Sequence, residues 1–146
     1  MPITLDLLDE AHARAALDPL EADGGLTVYE GVVPADPTTG QAVPPPYVLV
    51  YTSVQWPSQG DGKTLDGRTG MCVTRWYCHC AGASDQAARA VAGRVRQLLL
   101  DRQPAIAGRS CGFIRQEASP PPSRDQTIGS LVQDIVSVYV LYTFAG

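Results

Sequence analysis

Charge is scarce in this 146-residue sequence. Asp, Glu, Lys and Arg make up 18% of it, against roughly a quarter in an ordinary globular chain. A chain so poor in charge either buries surface against neighbouring subunits or covers itself with Ser, Thr and Gln, and composition leaves both open. A basic cluster is also missing. The net charge is −4, the pI about 5.0, and the cations are scattered, with only Arg94 near Arg96 and Arg75 near Lys63 or Arg68 in any grouping. Stable binding to duplex DNA, which needs a basic face to displace counterions, is thereby excluded. An acidic wall past which DNA slides without sticking remains compatible. No apolar run is long enough to span a bilayer; the longest, 47–51 and 135–144, read as strands. The N-terminus reaches acid at Asp6 without a basic region or cleavage site, so the chain is expected to be made in the cytoplasm, with its four cysteines as thiols.

Histidine is nearly absent as well, at two residues, His12 and His79. No nucleophile elbow, phosphate loop, dinucleotide fingerprint or metalloprotease motif occurs. Asp61, Asp66 and Asp85 have no second carboxylate at helical or strand spacing, which removes two-carboxylate acid–base chemistry. No enzyme is read here, and no cofactor.

What is present is an alternation of helical and strand patterns. Residues 4–17 read as a helix capped by Thr4, with Asp6, Asp9 and Glu10 in its N-terminal half, an apolar stripe of Leu5, Leu8, Ala11 or His12, and Ala15, and Pro19 as its end. Residues 26–33 read as a strand. Residues 34–46, with five prolines, read as a loop. An apolar strand at 47–54, buried on both faces, and a strand at 71–81 make a hairpin with a long tip. Residues 84–102 give the clearest helix: Ser84 is its N-cap, Ala88, Val91, Val95, Leu98 and Leu99 its stripe, and Pro104 forbids its continuation. A strand at 108–117, a second Pro-rich loop at 118–130 and a long strand at 131–144 complete the chain. This order predicts one α+β domain, a mostly antiparallel β-sheet with two helices packed on one face, interrupted by loops at 34–46, 55–70 and 118–130.

Cys72, Cys78 and Cys80 share one parity and point to one face of their strand. Same-face neighbours lie roughly 6.6 Å apart, whereas tetrahedral zinc wants its sulfurs nearly 4 Å apart. These cysteines are therefore expected to be small core residues, with Cys111 joining them from the next strand, and no metal site is predicted. His79 points away from them, and His12 is expected to be packed rather than catalytic.

The excursion 56–70 is the segment with unabsorbed chemistry. Trp56 stands at its base, Asp61, Lys63, Asp66 and Arg68 at its tip, with glycines at 60, 62, 67 and 70. Hairpin tips normally take two to five residues. A segment of this kind is either a plain surface loop or one that orders against a neighbour.

Taken in order, an opening helix, residues 26–34 (LTVYEGVVP), 46–51 (PYVLVY), a long polar tip, 74–80 (TRWYCHC), an Ala-rich helix and 134–142 (DIVSVYVLY) resemble the tail-terminator, or tail-completion, proteins of long-tailed phages of the lambda type. The resemblance runs from about residue 4 to 145. It implies a non-enzymatic virion protein at the head-proximal end of the tail. Such a protein forms a ring of six copies that stops tail-tube polymerisation and presents a surface to the head–tail connector, with DNA passing through unbound. The partners implied are further copies, the tail-tube protein and the connector or stopper protein. Trp56, Asp61, Lys63, Asp66 and Arg68 are the expected contact residues. Three other readings stay open: a connector stopper or adaptor of the same particle, a small cytoplasmic domain that uses its thiols or binds zinc, and a solitary globular domain with no assembly role.

Overall fold

The structure, a computed structural model, describes residues 7–57, 70–117, 123–125 and 132–145, with backbone alone at 123–125 and 132. The expected cap Thr4 and stripe residue Leu5 lie outside them. The first helix, α1, runs Leu7–Glu21. Its buried stripe is His12, Ala13, Ala16, Leu17 and Leu20, not the Leu8 and Ala15 line, since Leu8 is 37% exposed. The physical reason is close approach: small Ala13 and Ala16 face inward, and the Trp76 indole donates to the Ala13 carbonyl at 3.2 Å. Pro19 does not end the helix. In its last turn the proline deprives the Ala15 carbonyl of its amide donor, while Ala22 N–H still bonds the Asp18 carbonyl at 3.0 Å and Leu20 is fully buried.

Strand β1, Val28–Glu30, is shorter than the expected 26–33 and runs parallel to β2, Tyr47–Gln55. It stops where Gly31 takes φ +76°, a left-handed turn that breaks the extended run. Strand β3, Met71–Gly82, pairs antiparallel with β2 from Tyr47 opposite Ala81 to Gln55 opposite Val73. Burial of β2 on both faces is corrected: Val48 and Val50 are sealed, but Leu49 is half-buried and Tyr51 is 44% exposed.

Helix α2, Asp85–Leu99, follows the expected pattern closely. The Ser84 hydroxyl accepts from Ala87 N–H at 3.1 Å, and Ala88, Val91, Val95 and Leu99 are buried. Its first turn lies directly on the end of β3. A Cβ at Gly82 would stand 2.4 Å from the Ala88 amide nitrogen, so only glycine fits there.

The single strand expected at 108–117 is two, β4 at Arg109–Cys111 and β5 at Arg115–Gln116. Between them the chain leaves the ladder. Ile114 exchanges backbone bonds with Asp101 and Arg102 at 2.9 and 2.8 Å and sinks fully into the core. Strand β6, Ser123–Asp125, falls inside the stretch expected to be loop, because an edge needs only three residues to pair. Strand β7, Val132–Ala145, lies between β3 on one flank and β4, β5 and β6 on the other. The result is a seven-stranded sheet in the order β1-β2-β3-β7-β4 with β5 and β6 also on β7, antiparallel except at β1–β2. Both helices cover one face, so the α+β architecture holds as expected.

Parity then assigns every side chain. Even positions of β2 and β3 and odd positions of β7 face the helices: Cys72, Thr74, Trp76, Cys78, Cys80, Ile135, Ser137, Tyr139, Leu141 and Thr143 are all at most 5% exposed. The other parity faces away from the helices; Tyr47 and Ala81 are buried there against Tyr29 and Val33, Val73 and Val140 are buried as well, and the remainder is the open face.

Candidate functional surface

Of the expected contact residues, Trp56 is described, while Asp61, Lys63, Asp66 and Arg68 lie outside the described residues. Trp56 sits in a polar knot at the end of the sheet. Its indole donates to Asp9 Oδ1 at 2.9 Å. The His12 ring meets it edge-on at 5.5 Å, and the Arg109 guanidinium stands 5.1 Å from its centroid. Fully buried His12 uses both ring nitrogens. Nδ1 donates to the Leu8 carbonyl at 2.8 Å, and Nε2 meets the Thr143 hydroxyl at 2.7 Å. Arg109 donates to the Thr143 hydroxyl at 3.2 Å, the Thr143 carbonyl at 3.1 Å and the Gly70 carbonyl at 2.8 Å. Nδ1 faces a carbonyl and so donates; in that tautomer of the neutral ring, Thr143 donates to Nε2 and accepts from Arg109.

The knot grips both roots of the 56–70 excursion. Trp56 is one root; the other is Gly70, whose carbonyl also accepts from Ala145 N–H at 2.9 Å. The excursion is thus fastened at once to α1, β4 and β7. As chemistry, the knot is saturated: Thr143 is sealed from solvent and His12 has no nitrogen left for a substrate.

The three thiols of β3 offer no nucleophile either. Burial pushes the Cys78 thiol up to about 12, and it raises Cys80 and Cys72 too. Thiolate is the reactive and metal-binding form, so this argues against the thiol reading. Among the described residues, no three His, Cys, Asp or Glu side chains gather as metal ligands. One groove, of about 200 Å³, lies between α2 and the start of β2, lined by Leu26, Pro46, Tyr47, Val91 and Arg94. It is smaller than the ~300–1,000 Å³ of small-molecule sites. Arg94 at its rim is paired with Asp23, whose carboxyl is held low by the Gly25 amide and then by Arg94.

The open face of the sheet is the larger unexplained surface. Tyr51, Tyr77, Tyr142 and Phe144 point out from it, 37–47% exposed, in two groups: Tyr51 and Tyr77 share a row with half-buried Val138, beside the row of Leu49 and Val136, while Tyr142 and Phe144 lie beyond the row of Arg75, Val140 and Arg115. Its cations are already paired. Arg75 holds Glu117 through two bonds of 3.0 and 3.3 Å. Arg115 holds Asp101. His79 Nδ1 lies 2.9 Å from Asp134 Oδ2, with Tyr51 edge-on at 5.5 Å. The bond to Asp134 raises the His79 pKa against the opposing effect of burial.

No protein-family model matches the chain, and no curated protein matches it. A solved structure does. The chain resembles one in the structure of the virion of native gene transfer agent (GTA) particle, with a TM-score of 0.63 over 92% of this chain and 94% of that one. Sequence identity is 20%, so the likeness speaks for the fold.

Sequence reasoning missed Arg109 as a partner of Trp56, and Thr143 as the residue that joins Arg109 to His12, because they meet only through the tertiary fold. The exposed aromatics were within reach. The parity that sends the cysteines inward sends Tyr51 and Tyr77 outward, as the alternation of β7 does for Tyr142 and Phe144.

Proposed function

We propose that this protein is a structural component of a phage-like particle and works there as the tail terminator. In this reading six copies close into a ring that caps the tail tube, stops its polymerisation and presents the joining surface to the connector. The observation that carries it is the fold likeness, over nearly the whole of both chains, to a chain of a GTA virion. A saturated His12, the sealed thiols of β3 and the paired cations of the open face suit a part that works by shape. The mechanism is geometric: one face of the ring matches the last tube ring, and the other cannot accept a further tube subunit. Heterologous contacts that close on themselves produce such a ring.

Trp56, Asp61, Lys63, Asp66 and Arg68 are proposed as contacts to the tube or to the neighbouring copy. The knot supports this by fixing where the excursion leaves the sheet. The same likeness also suits a connector stopper or adaptor, since it is to a particle and not to a position within one.

Light scattering over a range of concentration, followed by negative-stain imaging with the purified tail-tube protein of the same particle, tests the proposal. Closed rings, with density at one end only of tubes, are expected. A strict monomer that neither caps nor shortens tubes would overturn it. Rings that bind the portal side and ignore tubes would replace it with the connector reading.

A further inference from the structure

We infer that the open sheet face is a contact surface for a second copy of this chain. The inference deepens the ring reading by naming the surface, and it rests on that reading for closure of the ring, though not for the contact itself.

Area is the first argument. Tyr51, Tyr77, Tyr142 and Phe144 are 37–47% exposed, and aromatic side chains carry roughly 150–250 Å² each. With the half-buried Leu49, Val136 and Val138 beside Tyr51 and Tyr77, the two groups on either side of the Arg75 row together present on the order of 400 Å² of apolar surface. One side of a standard interface buries about 800 Å², somewhat over half of it apolar. The patch is therefore the right size for the apolar part of one side. Its tyrosines are the residue type that interfaces favour.

Charge is the second argument, and it selects the occupant. A chain of net charge −4 repels its own copies. Among the described residues of this face, Arg75, Arg115 and His79 each have a carboxylate partner, so two copies meet here without opposing fields. The same pairing leaves no cation free for phosphate, which disfavours nucleic acid.

The third argument is that the edges are closed to strand addition. Strand β1 has three residues, and the far edge is broken into β4, β5 and β6 of two or three residues each. Edges this short offer little to pair with. The outer side of α2 carries Arg89 and Arg96 rather than an apolar stripe.

The test uses the full chain. The double variant Tyr51→Glu, Tyr77→Glu is compared with wild type and with Arg89→Glu on α2, by sedimentation over about 1 µM to 1 mM. Wild type and Arg89→Glu are expected to associate alike, while the double variant weakens association on the order of 100-fold or more with an unchanged melting temperature. If the double variant does not fold, Tyr142→Ser replaces it. Hydroxyl-radical footprinting of the wild type supplies a readout without substitution, as Tyr51, Tyr77 and Tyr142 should become protected on concentration. Rings that form regardless of these substitutions, with the tyrosines unprotected, overturn the inference and leave the terminator reading standing. A back-to-back dimer through this face supports the inference and removes the ring. A wild type that is monomeric throughout, with the tyrosines unprotected, overturns the inference; the terminator reading falls with it only if that monomer also fails to cap or shorten tubes.

Discussion

Toward the helices, β2, β3 and β7 present Val48, Trp76, Tyr139 and Leu141; toward the other side the same strands present Tyr51, Tyr77, Val138 and Tyr142. Antiparallel sheets with one covered face usually alternate apolar and polar along each strand. Here both parities are apolar, and the difference lies in how polar groups are handled. On the covered face His12, Thr143 and Arg109 are tied into one knot, with Thr74 and Ser137 buried outside it. On the open face they are paired sideways, across strands, and leave the aromatics bare. A face of this second kind suits a partner surface.

The comparison breaks most visibly at one row. Trp76 and Tyr77 are neighbours in sequence with opposite destinations, fully buried and 37% exposed. Trp76→Ala should lower stability by about 3–5 kcal/mol, through lost burial and the cavity left beneath α1. Tyr77→Ala should change it by no more than ~0.5–1 kcal/mol in the monomer. Urea unfolding of both variants decides the matter; equal losses would mean that the two faces are not energetically distinct.

A smaller effect sharpens the account of the knot. Thr143→Val keeps the shape but removes the hydroxyl, leaving His12 Nε2 buried and unmatched. A loss of about 1–3 kcal/mol is expected by the same method. A loss below ~0.5 kcal/mol would show that the knot contributes nothing as a unit.

The smallest effect belongs to the open face. Asp134 holds the His79 pKa above its ordinary 6.5. A raised pKa in the folded state means that the pair's contribution is fully present below about pH 6.5 and is lost as pH rises through the elevated value. With the His79 side chain 33% exposed, screening limits this to roughly 0.5 kcal/mol, or ~1–2 °C in Tm. Between pH 6 and pH 8 the wild type should therefore lose that much relative to His79→Gln in melting curves. Parallel curves for the two proteins would remove His79 from the face's charge pairing.

Much of this was legible in the residues. Ser84 with its apolar stripe gave α2, and period-two alternation gave β2, β3 and β7 together with the inward cysteines. The misreadings share a cause: long-range partners overrode local signals. Pro19 looked like a stop, but the packing of Leu20 carries α1 past it. Residues 108–117 looked like one strand, but Ile114 is drawn off by Asp101 and Arg102, which lie beyond α2. The Pro-rich stretch looked like loop, but β7 offers its flank to Ser123–Asp125. The site was less legible still. Trp56 was singled out for its place at the base of a long tip, yet its partners Asp9, His12 and Arg109 stand 44 to 53 positions away, and no local pattern announces them.

Strand β7 has a consequence for how the chain is made. It supplies the partner for β3 and for β4, β5 and β6, and it follows all of them in chain order. Its pairings with β3 join residues from 51 apart, Gly82 with Gln133, to 73 apart, Met71 with Phe144. Loops of that length are slow to close, and folding is correspondingly late. During synthesis the twelve-residue edge of β3 therefore stands open, with three later strands that have nowhere to pair. An unpaired edge of that length is a template for another nascent chain. The interval between the emergence of β3 and the docking of β7 is when this protein most needs a chaperone, or dilution, to stay on course.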